Sequence, residues 1–184
     1  MNHSVTSERE ILAAAQQLLL AEGVGALNMR AVAAACGVSV GSIYNYFPSK
    51  GVLVGATIES VWIEIFHPFM AGDYDNFDAA LAALLTVFAD GEARYPGFFS
   101  LHALSFATGE KDEGRARMAK LFAMLRTRLM TALAADKDVR DGVFGDVLTP
   151  TAFVDYVLTL VIARQLHQYD GIAALQAMVK SCIY

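Results

Sequence analysis

Met29-Arg-Ala-Val-Ala-Ala-Ala-Cys-Gly-Val-Ser-Val-Gly-Ser-Ile-Tyr-Asn-Tyr46 is the stretch whose reading decides the fold. Two helices cross tightly when the first has a small inner face, the turn permits a left-handed backbone angle, and the second returns apolar residues to the core. Ala33 supplies the close approach, Gly37 the turn, and Val38 with Ile43 the anchors, while Val32 and Cys36 complete the inner face of the first helix. That is the build of a helix-turn-helix, whose second helix is offered to the major groove of DNA. An ordinary helical hairpin fits the same spacing. The outer face of the second helix separates the two readings. Val40, Gly41, Ser42, Tyr44, Asn45 and Tyr46 make a surface without an acidic residue. Small residues at its start admit a close backbone approach, and the hydroxyl and amide groups can meet phosphates or base edges.

Helix starts and stops can be read outward from there. Ser7 and Glu10 have the spacing of a capping box, and the helix behind them, through Ile11, Ala15 and Leu19, should stop at Gly23. Asn28 is placed to cap the helix that begins at Met29, with Leu27 and Val32 spaced as a hydrophobic staple, and Ser39 to cap the next. Pro48-Ser49 opens a long fourth helix toward Met70. Beyond a polar break at 72–76, helices are expected to about Tyr95, from Phe98 to about Thr108, and from about Asp112 to Ala135. After a charged loop at 136–148, two more follow: one from Pro150 behind a Thr149 cap to near Tyr169, and one over Gly171 to Cys182. With four prolines and no sustained alternation, the chain reads as all-α, with about nine helices. A three-helix domain at 1–50 is joined by the long fourth helix to a helical domain at 51–184.

Composition limits the alternatives. The chain is 55% hydrophobic with mean hydropathy +0.41, yet its most continuous apolar run, Val157 to Ala163, is far short of the ~20 residues a membrane span needs. The surplus points to a large core, a subunit interface or an apolar cavity, and no membrane partner is expected. The start of the chain lacks the basic and apolar segments of a secretory signal, and Cys36 and Cys182 match neither a disulfide framework nor a metal knuckle, so the cytoplasm is the expected location. The net charge of −5 lies wholly in 51–184, because Arg9, Arg30 and Lys50 balance Glu8, Glu10 and Glu22 in the first fifty residues. A DNA-binding front end is permitted by this asymmetry.

The segment from Met29 to Leu53, with Tyr44, Phe47, Ser49 and Lys50 in the order Tyr, two variable residues, Phe and then Ser-Lys, resembles the DNA-binding signature of the TetR family of bacterial transcriptional regulators. The likeness covers roughly residues 7 to 55. It implies a homodimeric regulator, by family habit a repressor, that binds double-stranded operator DNA and is released by a small-molecule effector. It implies that Arg30, Tyr44 and Lys50 contact phosphates. Val40, Gly41, Ser42 and Asn45 would lie nearest the bases, Tyr46 at the groove edge, and Ser39 at the start of the reading helix. Gly51 departs from the family, where an acidic residue is common, which puts the first turn of the fourth helix in doubt.

For the second domain the resemblance implies ligand binding and dimerisation. Trp62, Phe66, Phe88, Phe99, His102, Phe106 and Phe122 are the candidate ligand contacts, around an apolar or aromatic effector. Such aromatic stripes are also what an ordinary core looks like. The helix after Thr149 is apolar on two faces, Phe153, Val157 and Leu160 on one and Val154, Leu158 and Val161 on the other, and the first of these is the candidate dimer interface. Arg115, Arg117, Lys120, Arg126 and Arg128 spread around their helix and read as a solvated surface. No cofactor or metal is expected and the chain does not read as an enzyme: His3, His67, His102 and His167 are far apart, and no catalytic motif occurs. The competing reading is a helical small-molecule-binding or interaction protein that does not bind an operator.

Overall fold

The computed structural model describes residues 6–99, 111–167 and 171–184, with side chains described throughout except at 111–115, 117 and 165–167. Eight α-helices lie within these ranges: α1 (Glu8–Glu22), α2 (Met29–Cys36), α3 (Val40–Tyr44), α4 (Lys50–Ala71), α5 (Phe77–Arg94), α6 (Lys111–Ala135), α7 (Pro150–His167) and α8 (Ile172–Ile183). A single 3-10 turn, Val24–Ala26, follows α1, and no strand occurs among the described residues. The helix expected over Phe98 to Thr108 is helical at Phe98 and Phe99 and otherwise lies outside the described residues. The described residues form two compact units, one of 6–64 with 111–114 and one of 65–99 with 115–167 and 171–184.

In the first unit, a side-chain cap sets the start of each α-helix. Ser7 and Glu10 make the reciprocal capping box, with Ser7 N donating to Glu10 Oε2 at 2.8 Å and Glu10 N to Ser7 Oγ at 3.3 Å. Asn28 Oδ1 accepts from the N–H groups of Arg30 and Ala31, satisfying two donors that the first turn of α2 would otherwise leave open. α2 ends at Gly37, whose φ of +66° is the left-handed conformation that glycine adopts without strain. Gly37 N donates to Ala34 O and Val38 N to Ala33 O, a Schellman closure. Ile11, Ala15, Leu27, Val32, Ile43 and Leu53 are fully or almost fully buried and form the core beneath these turns. Burying Ile43 alone contributes about 1.5–3 kcal/mol. Gln16 Nε2 donates to Ser60 Oγ at 3.0 Å, tying α1 to α4.

At 22 residues α4 is long and apolar enough, by length and composition, to cross a membrane, which the run at 157–163 is not. Many of its apolar side chains are nonetheless core residues, Leu53, Val61, Phe66 and Phe69 being at most 1% exposed, although Ile63 is 59% exposed.

The second unit is built on the far part of α4 with α5, α6, α7 and α8. Asn76 caps α5 through Ala79 N, and Thr149 Oγ1 accepts from Ala152 N at the start of α7, with Pro150 as its first residue. Leu81, Leu84, Leu125, Leu129, Val154 and Val161 have no exposure and make the centre of the core. Gly91 on α5 sits where a Cβ would lie 2.9 Å from Ile65 Cγ2 and 3.2 Å from Phe99 Cζ, so a glycine lets α5 lie close against α4. The segment after α6 is pinned rather than loose at its start. Tyr184 donates to Asp136 Oδ2, which also accepts from Phe77 N at 2.8 Å, and Asp138 N donates to Oδ1. Burial would raise the Asp136 carboxyl, but these three donors outweigh it and hold it below its ordinary value. Burial and the adjoining carboxylate push the Tyr184 phenol well above its own.

Candidate nucleic-acid interface

Between Gly23 and Ile58 there is no acidic residue, while Arg30 and Lys50 fall inside this stretch and both are exposed. The neutral total for residues 1–50 therefore hides a segregation, with all three acids on α1. α3 is the helix that this acid-free stretch presents. Its inner side is fixed by Ile43 and, just beyond it, by Phe47, both buried. Its outer side shows Gly41 and Tyr44 exposed, with Asn45 and Tyr46 exposed in the turn that follows, Tyr44 at 51% and Tyr46 at 42%.

The residues expected to meet DNA are not equivalent in this arrangement. Ser39 caps α3: its Oγ accepts from Ser42 N at 3.1 Å and shares a hydrogen bond of 2.9 Å with Ser42 Oγ. Val40 and Ser42 are half-buried. α3 ends at Tyr44, so Asn45 is its C-cap rather than an interior position, with its backbone N–H bound to Gly41 O. Tyr46 donates its hydroxyl to the Thr6 carbonyl at 2.5 Å, tying the turn after α3 to the residue before the α1 cap. In this state that hydroxyl proton is committed within the protein. Arg30 stands in the first turn of α2, and Lys50 opens α4. The first turn of α4 is closed despite Gly51, since Ser49 Oγ accepts from Val52 N at 3.2 Å and Ser49 O from Leu53 N at 3.1 Å.

The candidate ligand residues divide as well. Trp62, Phe66, Phe88 and Phe99 are buried and Phe122 half-buried. Phe66 and Phe88 meet edge to face at 5.0 Å, and Phe88 and Phe99 lie 5.4 Å apart, a closely packed aromatic run. His102 and Phe106 lie outside the described residues. Of the candidate dimer residues, Phe153 and Val157 are 5% and 3% exposed and belong to this chain's own core, whereas Leu160 is 42% exposed. Among the described residues of α7, the large apolar side chains left exposed are Tyr156, at 68%, and Leu160, one turn apart. Apolar periodicity in α7 marks inner faces at Phe153 and Val157 but not at Leu160, which continues the stripe and yet is exposed beside Tyr156. Gly91 and the Asp136–Tyr184 clasp were not singled out from the sequence either. Nothing local distinguishes Gly91 from other helix glycines, and the clasp joins residues 48 apart.

Residues 11–57 match the family model described as bacterial regulatory proteins of the tetR family. The nucleoid occlusion factor SlmA of Glaesserella parasuis serovar 5 (strain SH0165) is 31% identical over 125 residues, covering 66% of this chain and 60% of that protein. SlmA of Yersinia enterocolitica serotype O:8 / biotype 1B is 29% identical over 141 residues, covering 73% and 69%. Among solved structures, a TetR transcription regulator from Haloarcula marismortui ATCC 43049 superposes with a TM-score of 0.71 at 19% identity, covering 95% of each chain. The reduced form of NemR from E. coli gives 0.65 at 18% identity, covering 96% of each. Residues 11–57 are thus a DNA-binding domain of the tetR family of bacterial regulatory proteins, the described residues share the fold of solved TetR regulators, and the chain spans less than two thirds of the length of the Glaesserella parasuis SlmA.

Proposed function

We propose that this protein is a dimeric cytoplasmic transcriptional repressor that reads a palindromic operator with α3 and leaves it when an apolar or aromatic small molecule binds. The observation that carries the proposal is the exposed, acid-free surface of α3 and its following turn, flanked by Arg30 and Lys50. Residues 1–50 then act as the reading head, and residues 51–184 hold the effector and the partner subunit. Tyr44, Arg30 and Lys50 hold phosphates; Gly41, Ser42 and Asn45 approach the bases, with Val40 beside them. The aromatic residues Phe66, Phe88 and Phe99 support an apolar effector by supplying side chains of the kind that line such sites.

Dimerisation is assigned to the uncovered face of α7, Tyr156 and Leu160, together with the exposed Met178 of α8. A Tyr156→Glu, Leu160→Glu double variant should sediment as a monomer, because it places unpaired charge in that contact. An unchanged dimer would move the interface elsewhere.

The direct test of function is fluorescence anisotropy with DNA from upstream of the coding region, against a scrambled duplex. Two half-sites should be protected, with the reading helices about 34–36 Å apart. Absence of binding to any duplex at low salt would favour the reading of a helical small-molecule-binding protein without operator binding.

A further inference from the structure

Five cations and no carboxylate lie between Arg115 and Arg128, in a chain whose net charge is −5. Arg126 is accounted for by its ion pair with Asp155 on α7. Lys120 and Arg128 instead line an open groove of about 410 Å³ along α6. Between them the groove is apolar, formed by Met70 near the end of α4 with Ala123 and Met124, the last 43% exposed. Thr127 and Thr131 complete the lining, but each hydroxyl donates to a carbonyl of α6, Ala123 and Thr127 respectively, so neither offers the groove a free proton. Arg128 lies over the Tyr74 ring at 5.7 Å, and its buried Nε has no hydrogen-bond partner. The Arg128 guanidinium carries its charge beside the groove, where a carboxylate would meet a charge-assisted donor.

Spacing and chemistry narrow the occupant. Lys120 and Arg128 are eight residues apart, about 12 Å along the helix axis. A second helix carries side chains at i and i+7 about 10.5 Å apart on one face, with i+3 and i+4 between them. Carboxylates at the outer positions and apolar side chains at the inner ones match this groove cation for anion and apolar for apolar. A single-headed fatty acid answers one cation only, and a nucleic-acid backbone offers nothing to cover the methionines. Met70 and Met124 suit helices of varied shape, because an unbranched thioether repacks easily.

We propose that the α6 groove docks an acidic amphipathic helix of a partner protein, with its carboxylates on Lys120 and Arg128 and its apolar side chains on Met70 and Met124. Its lining shares no residue with α3 or with the proposed α7 interface.

The test is anisotropy of the full chain with a labelled, helix-stabilised peptide carrying Glu-x-x-Leu-Leu-x-x-Glu. Saturable binding is expected, weakened about tenfold by Lys120→Glu and further by Met124→Ser, and lost when both peptide glutamates become lysines. The lysine peptide should bind Lys120→Glu better than it binds the wild type. Equal binding of the glutamate and lysine peptides would overturn the proposal, as would no binding of either. Binding of dodecanoate with the same dependence on Lys120 and Met124, in the absence of peptide binding, would overturn it in favour of a lipid site. A change in sedimentation of the free protein on Lys120→Glu would do so in favour of a contact between copies.

Discussion

Replacing Lys50 by alanine separates the electrostatic part of DNA binding from everything else the head does. Lys50 is exposed, and the first turn of α4 is capped by Ser49 rather than by Lys50, so the fold does not depend on its side chain. A cation at a helix N-terminus is, if anything, unfavourable by about 0.3–1 kcal/mol, so the melting temperature should not fall. Arg30 and Lys50 are the cations of the acid-free stretch, two per subunit and four per dimer. If each neutralises one phosphate, log K falls with log salt at a slope of about −3.6, and at about −1.8 once Lys50 is gone. Raising salt from about 50 to about 200 mM should then weaken the wild type about 150-fold and the variant only about 12-fold. The loss at low salt should be the same on operator and on scrambled DNA, because a phosphate contact carries no sequence information. The assay is an anisotropy titration at four salt concentrations on both duplexes. A variant slope equal to that of the wild type would remove Lys50 from the phosphate contacts, whatever its affinity.

Asn45→Ala should leave that slope alone and relax discrimination at one base pair of each half-site, worth about 1–3 kcal/mol; unchanged base preference in a single-substitution operator panel would take Asn45 off the bases. Gly91→Ala should destabilise the protein by about 1–3 kcal/mol through overpacking against Ile65 and Phe99, despite the better helix propensity of alanine, and an equal or higher urea midpoint would show that α4 and α5 can separate without loss. Asp136 has a folded pKa below its unfolded one, so its stabilisation is complete above about pH 4 and lost as pH falls through the folded value. Tyr184 is raised, so its contribution holds below about pH 10 and is lost above. Asp136→Asn should therefore flatten the fall in urea midpoint toward acid, and Tyr184→Phe the fall toward alkali; curves parallel to the wild type would discount the clasp.

The head was legible because each of its signals is local. A cap and its target lie two or three residues apart, as with Asn28 and Ala31, and the turn needs one residue type at one place, Gly37. Its charge sums to zero over fifty residues, a total that averages the acids of α1 with the acid-free α2 and α3. In the second unit, apolar periodicity identifies buried faces but not what buries them. Phe153 and Val157 form a regular stripe whether they meet their own chain or a second one, and only their burial within this chain decides. Lys120 and Arg128 looked like scattered surface charge because a helical wheel omits Met70, which comes from another helix and turns two cations into the ends of a groove.

Along α3 the side chains that hold the helix in place are largely different from those it displays. Gly37, Ser39, Ile43 and Phe47 set its position through a turn, a cap and two buried anchors, while Gly41, Tyr44 and Asn45 take no part in the core. Mutation can therefore explore the displayed positions at little cost to folding, each typically within about 0.5 kcal/mol for an exposed site. A duplicated copy of this gene could acquire a new operator by changes at two or three positions, without first gaining stability elsewhere to tolerate them. The same separation makes the anchor positions poor places to alter specificity, since any change there would tilt the helix and disturb together all the base contacts proposed for it.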